Sequence, residues 1–208
     1  MNRRKMLIVT AASALVAPAA PGFHAGAARA QAQEIFPDDR ILGPADAPIT
    51  IIEYSSLTCP HCATLHREAL PEIEETWIAE GRARLVFRHF PLDALALRAA
   101  AVADCIEGER FFGFLDLLFE SQERWAKSKE PLKALGQMAR LAGMSQEKFE
   151  SCVGDEAQMD RILERRQDGI RTYDVKSTPT LIINGRKVEG ARDFDHFEKI
   201  FKEIVSES

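Results

Sequence analysis

The period of hydrophobic positions changes several times along the chain, and each change marks an element. Ile49-Thr50-Ile51-Ile52-Glu53-Tyr54 is β-branched and aromatic with little polar interruption, the pattern of a buried strand. From Pro60 the apolar residues Leu65, Leu70, Ile73 and Trp77 recur at helical spacing. Pro60 suits the first turn, where its missing N–H is not needed, and Pro71 is placed to kink the same helix. Residues 84–90 read as a second strand closed by Pro91. Residues 93–107, 111–121, 131–142, 145–153 and 156–173 show only helical spacing, broken by Gly108, Gly143 and Gly154. Strand character resumes at Thr180-Leu181-Ile182-Ile183, Asn184-Gly185 signals a hairpin, and Lys187-Val188-Glu189 is the return strand. Asp193 then caps a last helix with Phe194, Phe197, Ile200, Phe201, Ile204 and Val205 on its apolar face.

The order is strand, helix, strand, helical insertion, strand, hairpin, helix, which predicts an α/β protein. Residues 48–91 and 174–208 form one domain, 92–173 the inserted helical domain, and 31–47 a polar lead-in punctuated by Pro and Gly. Phe111, Phe112, Phe114 and Phe119 cluster as core of the insertion, and the charges from Arg161 to Arg166 read as a solvated helix face.

Composition narrows the class of protein. With 208 residues, 46% hydrophobic and 28% charged, and a net charge of −5, the chain is a globular protein of one ordinary domain or one carrying an insertion. The acidic balance disfavours nucleic acid as a partner. The N-terminus adds a compartment. Asn2-Arg3-Arg4-Lys5 is basic, residues 6–20 are apolar and Ala-rich, and Ala28-Arg29-Ala30 offers a cleavage site, so residues 1–30 read as a signal peptide and the periplasm as the destination. The mature chain then starts at Gln31, or after Ala32 in the alternative, and the export route is Sec or twin-arginine. Residues 1–30 hold three Arg and one Lys, so export leaves 23 bases against 32 acids, a net charge of −9. All four cysteines stay, in a compartment where disulfides persist.

Cys59-Pro60-His61-Cys62 falls at the strand-to-helix junction. A thiol at a helix N-terminus meets unpaired N–H groups and the positive end of the dipole, both of which favour thiolate. His61, when cationic, adds charge beside the same sulfur, and Cys62 is close enough to close a local disulfide. Stabilising the reduced thiolate makes that disulfide an oxidant, with a Cys59 pKa of ~3.5–5 expected by analogy with other dithiol oxidants. Glu53 is the odd residue of its strand, since a buried carboxylate needs a reason. It either points under the site and relays protons to Cys62, or faces solvent on an edge strand.

The strand–Cys59-Pro60-His61-Cys62–helix unit, Glu53, the helical insertion and Thr178-Pro179 before a strand together resemble the DsbA-like branch of the thioredoxin superfamily, from about Pro48 to the C-terminus. The resemblance implies a thioredoxin fold and a cis Thr178-Pro179 peptide packed on the cysteines, with backbone groups offered to an extended substrate. It further implies Cys59 as exposed nucleophile, Cys62 as buried resolving thiol, and a membrane quinone-coupled oxidase that re-oxidises the pair. Thr178 is a residue associated more with the isomerase branch, although residues 31–47 are too few for that branch's dimerisation domain.

Cys105 and Cys152 are 47 residues apart in the insertion. In an exported chain they form a structural bridge, a feature some DsbA-like proteins share, or else two separate buried thiols. A metal site is disfavoured: His66 reads as a surface side chain, His89 and His196 are isolated, and no second ligand knuckle accompanies Cys59 and Cys62. The expectation is therefore a monomeric, cofactor-free dithiol oxidase acting on exported proteins with free cysteines, with the redox equivalent held in the Cys59–Cys62 bond. An isomerase or reductase of the same fold is the alternative, and a non-catalytic binding module a third.

Overall fold

The structure is a computed structural model that describes residues 33–207 apart from Glu109. The signal-peptide expectation falls outside these residues. Strand β1 (Arg40–Leu42) pairs antiparallel with β3 (Ala83–His89), and β3 runs parallel to β2 (Ile49–Ser55). On the other side β2 pairs antiparallel with β4 (Thr180–Ile183), which turns through Asn184-Gly185 into β5 (Arg186–Glu189). Asn184 and Gly185 both have positive φ, 45° and 87°, as the tight hairpin requires. The sheet order β1-β3-β2-β4-β5, with helices on both faces, is a thioredoxin fold carrying a helical insertion.

All seven residues of β2 are buried because it is the central strand with both faces covered. Side chains alternate across the sheet. On one face Ile49, Ile51, Leu85, Leu181 and Ile183 pack with Leu65, Leu70, Trp77, Phe197 and Phe201. On the other, Ile52, Tyr54, Val86 and Ile182 pack with Val175 and Ile170.

The helix after the site is interrupted where Pro71 lacks an N–H to continue the ladder. Helix α1 (Pro60–Glu68) ends at Ala69, α2 (Leu70–Ile73) holds Pro71 in its first turn, and Glu74–Ile78 is a single wide π-type turn. The insertion comprises α3 (Ala94–Asp104), α4 (Arg110–Glu120), α5 (Gln122–Ala126), α6 (Pro131–Leu141), α7 (Gln146–Val153) and α8 (Glu156–Tyr173). Asp93, Ser145 and Asp155 cap α3, α7 and α8 by accepting from the N–H of Ala96, Lys148 and Gln158. The core of the insertion is Phe111, Phe114, Leu115, Leu118, Phe119, Trp125 and Leu135, with Trp125 Nε1 donating to the Leu118 carbonyl at 2.8 Å. Cys105 and Cys152 are bonded, their Cα atoms 6.3 Å apart, tying the end of α3 to α7. Closing a loop of 47 residues stabilises by roughly 4 kcal/mol in the chain-entropy account. Helix α9 (Phe194–Glu207) completes the chain, with Asp193 Oδ1 accepting from His196 N at 3.0 Å.

Three expectations need correcting. The lead-in supplies β1 and a strap across the sheet: Asp39 holds the buried Arg88 in a two-point pair at 2.7 and 2.9 Å, and Arg88 also donates to the Tyr54 hydroxyl and the Glu34 carbonyl. Burying a guanidinium requires such a full set of acceptors. The basic run on α8 is not wholly solvated, since Arg165 lies over the Phe36 ring at 3.6 Å and Arg166 over Phe90 at 4.7 Å. Val205 is 50% exposed and falls off the packed face of α9.

Candidate active site

The site begins where β2 stops. Ser56-Leu57-Thr58 carries the chain to Cys59, which occupies the N-cap position of α1 in an extended conformation (φ −81°, ψ 120°), with Pro60 as the first helical residue. Cys59 is 6% exposed and Cys62, one turn further, is sealed at 0%. The expected exposed nucleophile is thus nearly covered, although it is the more accessible of the two sulfurs. Thr178 lies against it, its carbonyl accepting from the Cys59 thiol at 3.4 Å, and the Thr178-Pro179 peptide bond is cis. The Pro179 carbonyl is taken by Gly190 N at 2.8 Å.

The two sulfurs have opposite acidities. A hydrogen bond from the Cys62 thiol does most to bring Cys59 down to about 5. Burial works against it, while Thr178 and the backbone N–H groups of Cys62 and His61 assist. Burial pushes Cys62 well above the ordinary thiol range, and its bond to Cys59 and the Cys59 charge push it the same way. The Ser55 hydroxyl makes no full hydrogen bond but lies near enough to the Cys62 sulfur to ease that shift. His61 acts on Cys59 through its backbone N–H, and its side chain is exposed, as is Pro60.

Glu53 lies on the central strand, not an edge, between Phe87 and Leu181, and is 0% exposed. Its Oε1 is 3.0 Å from His66 Nε2, and its Oε2 has no partner. His66, expected at the surface, is therefore a buried residue of α1, stacked on Phe119 with ring centroids 4.0 Å apart. Its Nδ1 reaches Asp116 of α4 at 3.6 Å, an ion-pair distance without a direct hydrogen bond. Burial alone would lower the His66 pKa, but the Glu53 carboxylate, with help from Asp116, lifts it to about 9. Glu74, half-buried near the same group, is pushed up to about 7, chiefly by burial and then by Asp116. His89 is also buried, 3.3 Å from Asp104, while His196 stays exposed.

Two further residues belong to the frame. Gln122, buried at the start of α5, donates its side-chain amide to the Leu57 carbonyl at 2.9 Å and the Cys59 carbonyl at 3.0 Å. Asp93 caps α3 with Oδ1 and accepts from the Thr58 hydroxyl with Oδ2 at 2.7 Å. Sequence reasoning found Asp93 only as a helix start and missed Gln122. Its one signal is a polar residue between the apolar stretches of α4 and α5. Cys105 and Cys152 are joined to each other in a disulfide, and no group of three or more His, Cys, Asp or Glu among the described residues is arranged to hold a metal.

Comparison with known proteins gives a consistent picture. The sequence model of the thioredoxin family matches residues 36–203. A Rickettsia bellii protein named for protein-disulfide oxidoreductase activity is 28% identical over 154 residues, 73% of this chain and 59% of its own length. Such relatives are longer, and the chain spans a little over half of them. Disulfide bond formation protein D of Bacillus subtilis is 25% identical over 170 residues, 79% of this chain and 76% of that one. Among solved structures, Wolbachia pipientis α-DsbA1 superposes with a TM-score of 0.78 at 31% identity, covering 83% of this chain and 94% of that one.

Proposed function

The chain belongs to the DsbA-like thioredoxin family, and from that membership we propose that it is a thiol:disulfide oxidoreductase working as a dithiol oxidase through Cys59 and Cys62. One observation carries the direction: the reduced pair is stabilised by an asymmetry in which Cys59 ionises at about 5 while Cys62 keeps its proton. Whatever stabilises the reduced form makes the disulfide a stronger oxidant.

In the forward reaction a substrate thiolate attacks Cys59 Sγ of the oxidised pair. The Cys59–Cys62 bond breaks, a mixed disulfide forms on Cys59, and Cys62 leaves as thiolate and takes up a proton. A second substrate thiolate attacks the substrate sulfur of the mixed disulfide. The substrate leaves with its own disulfide and Cys59 leaves as a stable thiolate, so two electrons pass from substrate to enzyme. Thr178 and Pro179 flank Cys59, and we assign them to positioning the substrate segment. No cofactor enters this scheme, since the disulfide itself carries the redox equivalent.

The substrates in this reading are exported proteins with free cysteines, the compartment is the periplasm, and a quinone-coupled membrane oxidase restores the disulfide. The N-terminal pattern of residues 1–30 and the cysteine content support the location. Thr178 is the feature that favours the rival isomerase or reductase. The redox state of the pair in the cell separates them, since a mainly reduced pair there overturns the oxidase, and the equilibrium constant with glutathione ranks the pair between strong oxidant and reductant. An oxidase is predominantly reduced by a glutathione buffer poised near −200 mV, and a pair that stays mainly oxidised there overturns the proposal.

A further inference from the structure

Leu57, Thr58 and Cys59 lead from the end of β2 into α1, and side chains of the insertion hold all three. Gln122 Nε2 donates to the Leu57 carbonyl at 2.9 Å and to the Cys59 carbonyl at 3.0 Å. Asp93 Oδ2 accepts from the Thr58 hydroxyl at 2.7 Å. Both holding side chains are themselves fixed. Gln122 is 5% exposed and begins α5, which the fully buried Trp125 pins by donating to the Leu118 carbonyl at 2.8 Å. Asp93 caps α3 with its other oxygen, at Ala96 N, so the carboxylate cannot turn away without uncapping that helix.

The hold falls where the backbone has least of its own. Pro60 has no N–H, so the peptide unit joining it to Cys59 is anchored only through the Cys59 carbonyl. That oxygen accepts from Ala63 N at 3.2 Å, the first bond of α1, and from Gln122 Nε2. A Ser or Asp at the N-cap would lock the turn with its own side chain, but the Cys59 thiol makes no such bond. The conformation nonetheless decides the chemistry. With Cys59 extended at the head of α1, its sulfur meets the Cys62 thiol and the N–H groups of Cys62 and His61, all in the first turn. Hydrogen bonds weaken steeply when misaligned, so a small rotation within residues 57–59 would take the sulfur away from its donors.

We infer that Gln122 and Asp93 are positioning residues for the nucleophile: by holding residues 57–59 from the insertion, they keep the Cys59 sulfur in line with the donors of α1 and so keep it a thiolate. This rests on the dithiol exchange proposed above, and it gives the helical insertion a part in that exchange.

The test is ultraviolet titration of the Cys59 thiolate in the reduced full chain, with the glutathione equilibrium constant measured on the same samples. Gln122→Met keeps the length of the side chain and removes both donors. Its titration midpoint should rise by about one pH unit, a tenfold loss of thiolate stability, and at neutral pH the pair should become about tenfold less oxidising. Thr58→Val keeps the shape of a half-buried side chain without the hydroxyl, and should move both readouts about threefold in the same direction. The two must move together, because one thiolate enters both. A variant that only loosens the fold lowers Tm and leaves the midpoint where it was. Midpoints unmoved in Gln122→Met and Thr58→Val overturn the positioning role, whatever happens to Tm. If Gln122→Met does not fold, Thr58→Val decides alone. An intact protein whose Cys59 titrates like a free cysteine fails the oxidase reading instead.

Discussion

At the scale of the residue, the proposed chemistry reduces to two like side chains in unlike surroundings. Cys59 sits at the end of a helix with N–H groups and a thiol aimed at it, and Cys62 sits where no water reaches. The midpoint potential should record the difference. Below about pH 5 both thiols of the reduced pair are protonated and the potential falls by about 59 mV per pH unit; above it only Cys62 carries a proton and the slope halves to about 30 mV. A single slope through neutral pH would show that Cys59 is no thiolate there. The motif itself was legible from Cys59, Pro60, His61 and Cys62 because it is contiguous. His66 was not, because its partners lie elsewhere in the chain: Glu53 on β2 and Asp116 on α4 meet it only after folding. A lone histidine on a helix carries no local mark of burial.

At the scale of the element, close approach replaces charge as the deciding quantity. Gly169 brings α8 against the sheet so tightly that an added Cβ would lie 2.5 Å from Tyr54 Cε1 and 2.9 Å from Cζ. Tyr54 cannot retreat, since it is fully buried and its hydroxyl is held by Arg88 at 2.9 Å. Gly169→Ala improves helix propensity by about 1 kcal/mol yet should destabilise by about 1–3 kcal/mol net, read as a lower urea midpoint with unchanged slope. An unchanged midpoint would mean that α8 shifts freely on the sheet. Elements with strong local signals matched the sequence reading closely: α8 between its Asp155 cap and the left-handed Asp174, and the hairpin at Asn184-Gly185. Strand β1 was missed because three residues are too few for a period, and its place depends on pairing with β3 and on the Arg88–Asp39 contact. The break at Ala69 follows Pro71, but the π-type turn after it has no sequence signal that we recognise.

At the scale of the whole molecule, the buried His66 couples stability to pH. Its pKa rises from an ordinary 6.5 to about 9, so it contributes stability that is complete below 6.5 and lost as pH climbs through 9. Glu74, raised to about 7, has the same sign and loses its share between about 4.5 and 7. Between pH 7 and pH 9 the loss therefore belongs to His66 and amounts to about 2 kcal/mol. Urea unfolding of the oxidised protein, in which neither active-site thiol titrates, isolates it. Stability constant over that interval would show that the imidazole is neutral in the folded state.

The contact of Gln122 with the Leu57 and Cys59 carbonyls has a consequence for how the molecule opens. In sequence the insertion lies between the two halves of the sheet domain, and one could picture it breathing independently. The amide of Gln122 forbids that near the cysteines, because α5 cannot swing away without leaving two buried carbonyls unsatisfied. Slow amide exchange in residues 57–62 and in α5 should then belong to one cooperative unit, whose boundary cuts across the domain border drawn from the chain.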